Sequence, residues 1–122
     1  IQTMWVSHDK VRDVLITADY GYVYRDITET NKVASPVKIA EYLSCGLKLL
    51  ISNSLGDYSN LITSNNLGFS LDSNDFNFSD IQKVSIAEKE RITKFAMENL
   101  SIFSGKIKNK YLSVINENCS VN

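Results

Sequence analysis

The chain has 122 residues, of which 43% are hydrophobic and 22% charged, with a formal net charge of -1. These totals predict one small globular domain with a single core and argue against a broad basic surface for nucleic acid. No apolar run approaches the roughly 18 to 20 residues of a membrane span, so no transmembrane segment is expected. Two distant cysteines, Cys45 and Cys119, and one histidine predict a reducing cytoplasm and no structural zinc.

Four short apolar or β-branched runs along the chain have the composition of strands. The second run is aromatic with few polar atoms, as expected for a strand buried in a sheet. Its tyrosines at positions 20, 22 and 24 are predicted to fill core on both sheet faces. The predicted strands are residues 1–6, 20–25, 47–52 and 67–72.

Segments with helical spacing lie between and after these runs. The first follows Ser7, a residue type favoured at helix N-caps. The second occupies residues 35–46 and ends at Gly46, which suits the left-handed conformation of helix ends. Residues 26–34 are polar and predict a loop. Three further helices are predicted: a short one within 55–66, one with a stripe of Ile92, Phe95, Ala96 and Leu100, and one with a stripe of Ile107, Tyr111, Val114 and Ile115.

Strands that alternate with helices of about ten residues predict right-handed crossovers and a parallel sheet covered on both faces. The expected fold is therefore α/β, with a Rossmann-like parallel sheet of about four strands and flanking helices. Ligands of open α/β sheets bind beyond the carboxyl ends of the strands. The segments after Val6, Tyr24, Ile51 and Leu71 are accordingly where a site is expected.

The stretch ASPVKIAEYLSCG, residues 34–46, has the features of an anion site at a helix start. Ser35 is a favoured N-cap, and Pro36 suits the first helical position. Lys38 then occupies the first turn, where the helix dipole disfavours a positive charge by about 0.3–1 kcal/mol. A bound phosphate reverses that sign, because the free amides, the dipole and the ammonium all attract it.

Glu41 lies six residues after Ser35, which is about 9 Å along a helix axis. Nucleotide sites often use a carboxylate to accept hydrogen bonds from ribose, with pyrophosphate at a helix start. The spacing suits a nucleoside diphosphate along the first turns. A structural explanation stays open: Ser-Pro is a common helix start, and Lys38 either extends into water or pairs with Glu41 at i,i+3.

The motifs ADYGYVYRD, NKVASPVKIAEYLSCGLKLLIS, GDYSNLI and NNLGFSLD follow one another in this order. Together they resemble the C-terminal domain of GT-B glycosyltransferases, especially family 4 of bacterial surface-polysaccharide assembly. Residues 18–71 match that family in order and spacing, and SPVKIAEYLSCG is the specific part. The resemblance implies one partial nucleotide-sugar-binding domain over residues 1–122, an incomplete GT-B lobe with C-terminal helices at about 80–116.

The resemblance also implies which residues bind the donor. Glu41 matches the glutamate that holds the ribose hydroxyls, and the amides of the preceding loop and first turn face the diphosphate. Arg25 matches a strand-end arginine that reaches a phosphate, while Ser7 and His8 match the region that frames the nucleobase. The implied donor-binding residues are Ser35, Pro36, Val37, Lys38, Glu41, Arg25 and His8.

The chain departs from the family pattern in two ways. Val33 stands where the family has the first glutamate of its motif, and Glu29 is out of register. Two strand-helix units and the acceptor-binding N-terminal lobe that the family has are not found in this sequence. We therefore expect no catalysis from the chain by itself, and no catalytic residue or metal ligand is assigned.

The implied function is to bind a UDP- or GDP-type sugar donor for glycosyl transfer in bacterial surface polysaccharide synthesis. The substrate nucleotide-sugar is the ligand, with no separate cofactor, and a glycan or lipid-linked acceptor binds through the other lobe. The expected location is the cytoplasm, or the inner membrane face for a longer protein. An unpaired edge strand would favour a homo-oligomer.

Two other hypotheses stay open. The chain could be a non-catalytic α/β module that serves assembly and no longer binds nucleotide. It could also be a generic phosphate-binding, flavodoxin-like domain, with an anion at Ser35 and no role for Glu41. Three further residues have ordinary explanations: His8 on the surface, Asp57 as a helix cap and Cys45 as a buried, inert thiol.

Overall fold

The computed structural model describes residues 2–26, 37–53 and 55–100. Several predictions lie outside these ranges: most of the loop at 26–34, the residues Ser35 and Pro36, the mismatch at Val33, and the helix predicted near Ile107.

Three strands and four α-helices make up the described part of the chain. They are α1 (Val11–Leu15), β1 (Tyr20–Val23), α2 (Val37–Ser44), β2 (Lys48–Ile51), α3 (Asp57–Ser64), β3 (Gly68–Ser70) and α4 (Ile86–Asn99). Short 3₁₀ turns at His8–Lys10 and Phe78–Asp80 precede α1 and α4. The strands form one parallel sheet in the order β1-β2-β3, which confirms the α/β class.

The strand predicted over residues 1–6 is not confirmed. Residues 2–6 form neither helix nor strand, and the Trp5 side chain is 99% exposed. An apolar run becomes a strand only where another strand pairs with its backbone groups. In the structure β1 pairs only with β2, so the described sheet has three strands rather than four.

The core lies on one face of this sheet. Alternate strand residues, including Val23, Leu49 and Ile51, point toward the helices and are buried. All three long helices contribute to the same cluster, which contains Val23, Ile39, Leu43, Leu49, Ile51, Leu55, Ile62, Leu67, Ile92 and Ala96. The stripe predicted for α4 is confirmed, since Phe95 and Leu100 pack against this cluster.

The prediction that tyrosines fill core on both sheet faces is wrong for two of them. Tyr22 is 63% exposed and Tyr24 is 49% exposed, and their rings are stacked with centroids 6.1 Å apart. They lie on the face opposite the core, where neither α2, α3 nor α4 packs. The described helices therefore cover one face of the sheet.

Gly46 ends α2 as the sequence predicts. Its φ of 79° is left-handed. The amide of Gly46 donates to the carbonyl of Leu43 at 3.0 Å, and that of Leu47 donates to the carbonyl of Tyr42 at 3.1 Å. This pair of bonds is a Schellman motif, which satisfies carbonyls at the end of the helix.

Charged residues near the start of α4 hold the amino-terminal edge of the sheet. Lys89 donates to the Ala18 carbonyl at 2.7 Å and pairs with Asp19, the residue before β1, at 3.0 Å. Arg91 donates to the Asn66 carbonyl at 2.8 Å, just before β3.

Glu88 completes this network at the start of β2. Its carboxylate accepts hydrogen bonds from Arg91 at 2.7 and 2.9 Å and lies 3.4 Å from the ammonium of Lys48. The amino-terminal edge is thus occupied by structural ion pairs. None of the described helices has the combination of length and apolar character that a membrane-spanning helix needs.

Candidate functional site

At the opposite, carboxyl-terminal edge of the sheet, a buried serine links two strands. Ser52 follows β2 and is 1% exposed. Its hydroxyl accepts from the Arg25 amide and donates to the Arg25 carbonyl, both at 3.0 Å. The backbone of Arg25 is therefore held immediately after β1. No prediction above includes Ser52, although a serine that ends an apolar strand run is the kind of residue that can hold a neighbouring strand in this way.

Polar side chains also link the ends of β2 and β3. The amide of Asn53 donates to the Asp72 carboxylate at 2.8 Å, and the Ser70 hydroxyl donates to the Asn53 side-chain carbonyl. The Ser59 hydroxyl on α3 donates to the Ser52 carbonyl at 3.3 Å. This edge is consequently polar and ordered by side chain to backbone bonds.

The start of α3 lies at the same edge. Gly56 precedes it with a φ of 59°, and Asp57 is its first residue, with an exposed side chain. No side-chain hydrogen bond caps this helix, so Asp57 is not the N-cap that the sequence analysis considered. Instead it places a carboxylate in the first turn, where the helix dipole favours negative charge.

Helix α2 presents a charged, exposed side to solvent. Ile39 and Leu43 are buried against the core, and Val37, Lys38 and Glu41 are exposed. No acidic residue lies in the first turn of α2. In the part of the chain that the structure describes, Lys38 and Glu41 form no salt bridge, either with each other or with another side chain. The intrahelical ion pair considered above is therefore not formed.

Glu41 borders a depression of about 410 Å³ between α1, α2 and α4. Its volume is in the range of small-molecule sites. The lining combines charged, hydroxyl and apolar groups: Arg12, Leu15, Glu41, Ser44, Cys45, Thr93 and Met97. No local sequence pattern points to Arg12 or Thr93, because only the tertiary fold brings α1 and α4 to the same side of α2.

Cys45 lines this depression and is partly buried, whereas a buried thiol was predicted; its inertness stays a prediction. Burial raises the pKa of the Cys45 thiol; the nearby Arg12 guanidinium opposes that shift, and the Glu41 carboxylate adds to it. Arg12 and Glu41 thus act on the same thiol with opposite signs.

A second depression lies at the outer side of β3 and is less suited to an anion. Its polar lining includes Asn53, Ser70 and the carboxylates of Asp75 and Asp80. Negative side chains repel a diphosphate, whereas Lys38 attracts one. The α2 side of the molecule is therefore the better candidate for a phosphate-containing ligand.

The remaining predicted site residues are spread over the described ranges. Arg25 follows β1 at the carboxyl-terminal edge and is half-buried. His8 is exposed in the 3₁₀ turn before α1, and Ser7 precedes this turn without a side-chain capping bond. Ser35 and Pro36 lie outside the described residues. Within those ranges, no three His, Cys, Asp or Glu side chains come together as metal ligands would.

Comparisons of the chain with protein-family models, with curated proteins and with solved structures found no match.

Proposed function

We propose that this chain is the donor-binding part of a nucleotide-sugar-dependent glycosyltransferase, with the nucleoside diphosphate bound along α2. One observation carries the proposal: Lys38 and Glu41 lie one turn apart on an exposed side of α2, and neither forms a salt bridge within the described residues. By contrast, the fold uses Glu88, Lys89 and Arg91 to hold the sheet.

The diphosphate is assigned to the amino end of α2. The first turn carries Lys38 and no acidic residue, so its charge adds to the positive end of the helix dipole. Helix amides and an ammonium together form a favourable site for phosphate oxygens. With an anion bound there, the position of Lys38 in the first turn would become electrostatically favourable.

The ribose is assigned to Glu41. This residue follows Lys38 by three positions, or about 4.5 Å along the axis, and so lies on the same side of the helix. A carboxylate accepts hydrogen bonds from two neighbouring hydroxyls, which a ribose provides. Its exposure leaves it accessible to a ligand.

Arg25 is a further phosphate ligand in this proposal. Its backbone is held by Ser52 at the end of β1, the edge where α/β sheets bind ligands. Transfer to a glycan or lipid-linked acceptor in surface polysaccharide synthesis would need a second lobe that faces this one. The function assigned to this chain is therefore donor binding, without the transfer step.

The test is a titration of the ¹⁵N-labelled chain with UDP, GDP and ADP, followed by amide chemical shifts. We expect the amides of Val37 and Lys38 to move, and Glu41→Ala to abolish or strongly weaken the effect. Glu90→Ala is the matched control, because Glu90 is an exposed glutamate on α4 and should leave binding unchanged. If millimolar concentrations of all three nucleotides leave the α2 amides unmoved, the proposal is wrong.

The sheet face that the described helices leave uncovered favours a second candidate, an α/β module that serves assembly. Stacked, exposed tyrosines at positions 22 and 24 suit a protein contact better than they suit solvent. A stable oligomer that does not bind any of the three nucleotides would support this candidate over the first.

A further inference from the structure

We infer that the depression between α1, α2 and α4, and not the Ser7–His8 segment to which the resemblance assigns the base, receives the nucleobase of the bound nucleotide, and that Arg12 selects bases with ring carbonyl groups. This inference rests on the proposed function, because it extends the site from the phosphate and the ribose to the base.

The positions along α2 follow the order of groups in a nucleotide. Residues spaced by three or four positions lie on one side of a helix. On α2 and directly after it, this side carries Lys38, then Glu41, then Ser44 and Cys45. Each step is about 4.5–6 Å along the axis. Since the ribose of a nucleotide lies between the phosphates and the base, a phosphate near Lys38 and a ribose at Glu41 direct the base toward Ser44.

At Ser44 the depression offers the surroundings that a base requires. Leu15 and Met97 provide apolar surface for the flat ring faces, and Met97 is largely exposed. Thr93 and Ser44 supply hydroxyl oxygens at the rim. The Ser44 hydroxyl donates to the Ala40 carbonyl at 2.7 Å, so its oxygen is available as an acceptor.

Arg12 determines which edge of a base fits. A guanidinium only donates hydrogen bonds, and it therefore pairs with carbonyl acceptors such as those of uracil and guanine. Adenine presents an amino group where guanine has its carbonyl. Arg12 forms no salt bridge with another described residue, so its side chain is not committed elsewhere.

The test uses the full chain and compares UDP, GDP and ADP by NMR. We expect UDP and GDP to move the amides of Ser44 and Thr93 and to bind more tightly than ADP. Arg12→Gln should weaken UDP by at least about fivefold, as expected for the loss of a base contact, while changing ADP little. Lys10→Gln is the matched control, because it removes an exposed cation near α1 outside the depression.

A second measurement needs no variant. In the UDP complex, we expect nuclear Overhauser contacts between the uracil ring protons and the Met97 methyl group. If UDP moves the Lys38 amide and depends on Glu41, but these contacts are absent and Arg12→Gln has no effect, the base lies elsewhere. That outcome overturns this inference and leaves the proposed function standing. If no nucleotide moves the α2 amides, the proposed function itself fails.

Discussion

At Gly46 the chain adopts a left-handed conformation, with a φ of 79°, and α2 stops there because the next amides turn back onto Tyr42 and Leu43. A side chain at this position would be strained by the backbone alone. It would also meet α4, since an added Cβ would lie 3.1 Å from the Lys89 Cβ and 3.2 Å from the Thr93 hydroxyl oxygen. One residue thus determines both the end of α2 and its close contact with α4.

We expect Gly46→Ala to lower the free energy of unfolding by about 1–2 kcal/mol, from left-handed strain and crowding against α4. Urea denaturation followed by circular dichroism measures this. Asn66→Gly is a suitable control, because Asn66 also has a positive φ, of 54°, and glycine relieves rather than adds strain there. Equal stabilities for Gly46→Ala and the wild type would contradict the argument.

Ser52 and Arg12 show which residues local pattern does not reveal. A serine at the end of an apolar run and an arginine on an exposed helix side are both common in proteins. Their importance comes from distant partners: Ser52 binds Arg25, 27 positions earlier, and Arg12 shares a depression with Glu41 and Thr93. Glu41 and Lys38, by contrast, were proposed from spacing within one helix, and their role stays a prediction.

Among the elements, α4 is the one that connects the others. Its first two turns contact three other parts of the chain. Lys89 contacts the residues before β1, Glu88 contacts the start of β2, and Arg91 contacts the residues after α3. Hydrogen bonds from Arg91, with a smaller contribution from Lys48, lower the pKa of the Glu88 carboxyl from an ordinary 4.5 to about 2. The bond from Lys89 likewise lowers the pKa of Asp19.

Both carboxylates have lowered pKa values in the folded state, so each binds protons less readily there than in the unfolded chain. The stabilisation from Glu88 is therefore complete above its ordinary pKa and is lost as the pH falls from about 4.5 toward 2, and that from Asp19 is lost as the pH falls below the ordinary pKa of 3.8. We expect Glu88→Gln to cost about 0.5–1 kcal/mol at neutral pH, because its partners are partly solvated.

Urea denaturation at neutral pH and near pH 3 measures how much the Glu88 carboxylate contributes to the free energy of unfolding at each pH. Glu88→Gln should lose less stability on acidification than the wild type, whereas Glu98→Gln, an exposed glutamate on α4 outside the network, should behave like the wild type. An unchanged acid dependence in Glu88→Gln would show that the carboxylate is not coupled to folding.

At the scale of the whole molecule, the three long helices α2, α3 and α4 pack on one side of a three-stranded sheet. The opposite side carries Tyr22, Tyr24, Leu50 and Phe69, and the two tyrosines are exposed and stacked. Among the residues that the structure describes, β1 is also an edge strand of this sheet, with no strand paired on its outer side. Exposed aromatic surface beside an unpaired strand edge favours association.

We expect the chain to self-associate through this face at high concentration. Light scattering across a dilution series should show a mass that rises with concentration in the wild type and falls toward the monomer in a Tyr22→Thr, Tyr24→Thr double variant. Ile86→Thr is the control, because Ile86 is an apolar residue on α4 that is more exposed than either tyrosine. A single monomeric mass at every concentration would refute the prediction.

What the sequence determined by itself is the part that depends on neighbouring residues: the α/β alternation, the three strands, the end of α2 at Gly46 and the apolar stripe of α4. These follow from periodicity and residue type, which act within one or two turns of a helix or along one strand. The tertiary structure decided the rest. It left residues 2–6 without a strand partner, placed the helices on one sheet face, and brought Arg12, Glu41 and Thr93 around one depression, because each of these outcomes depends on contacts between segments far apart in the chain.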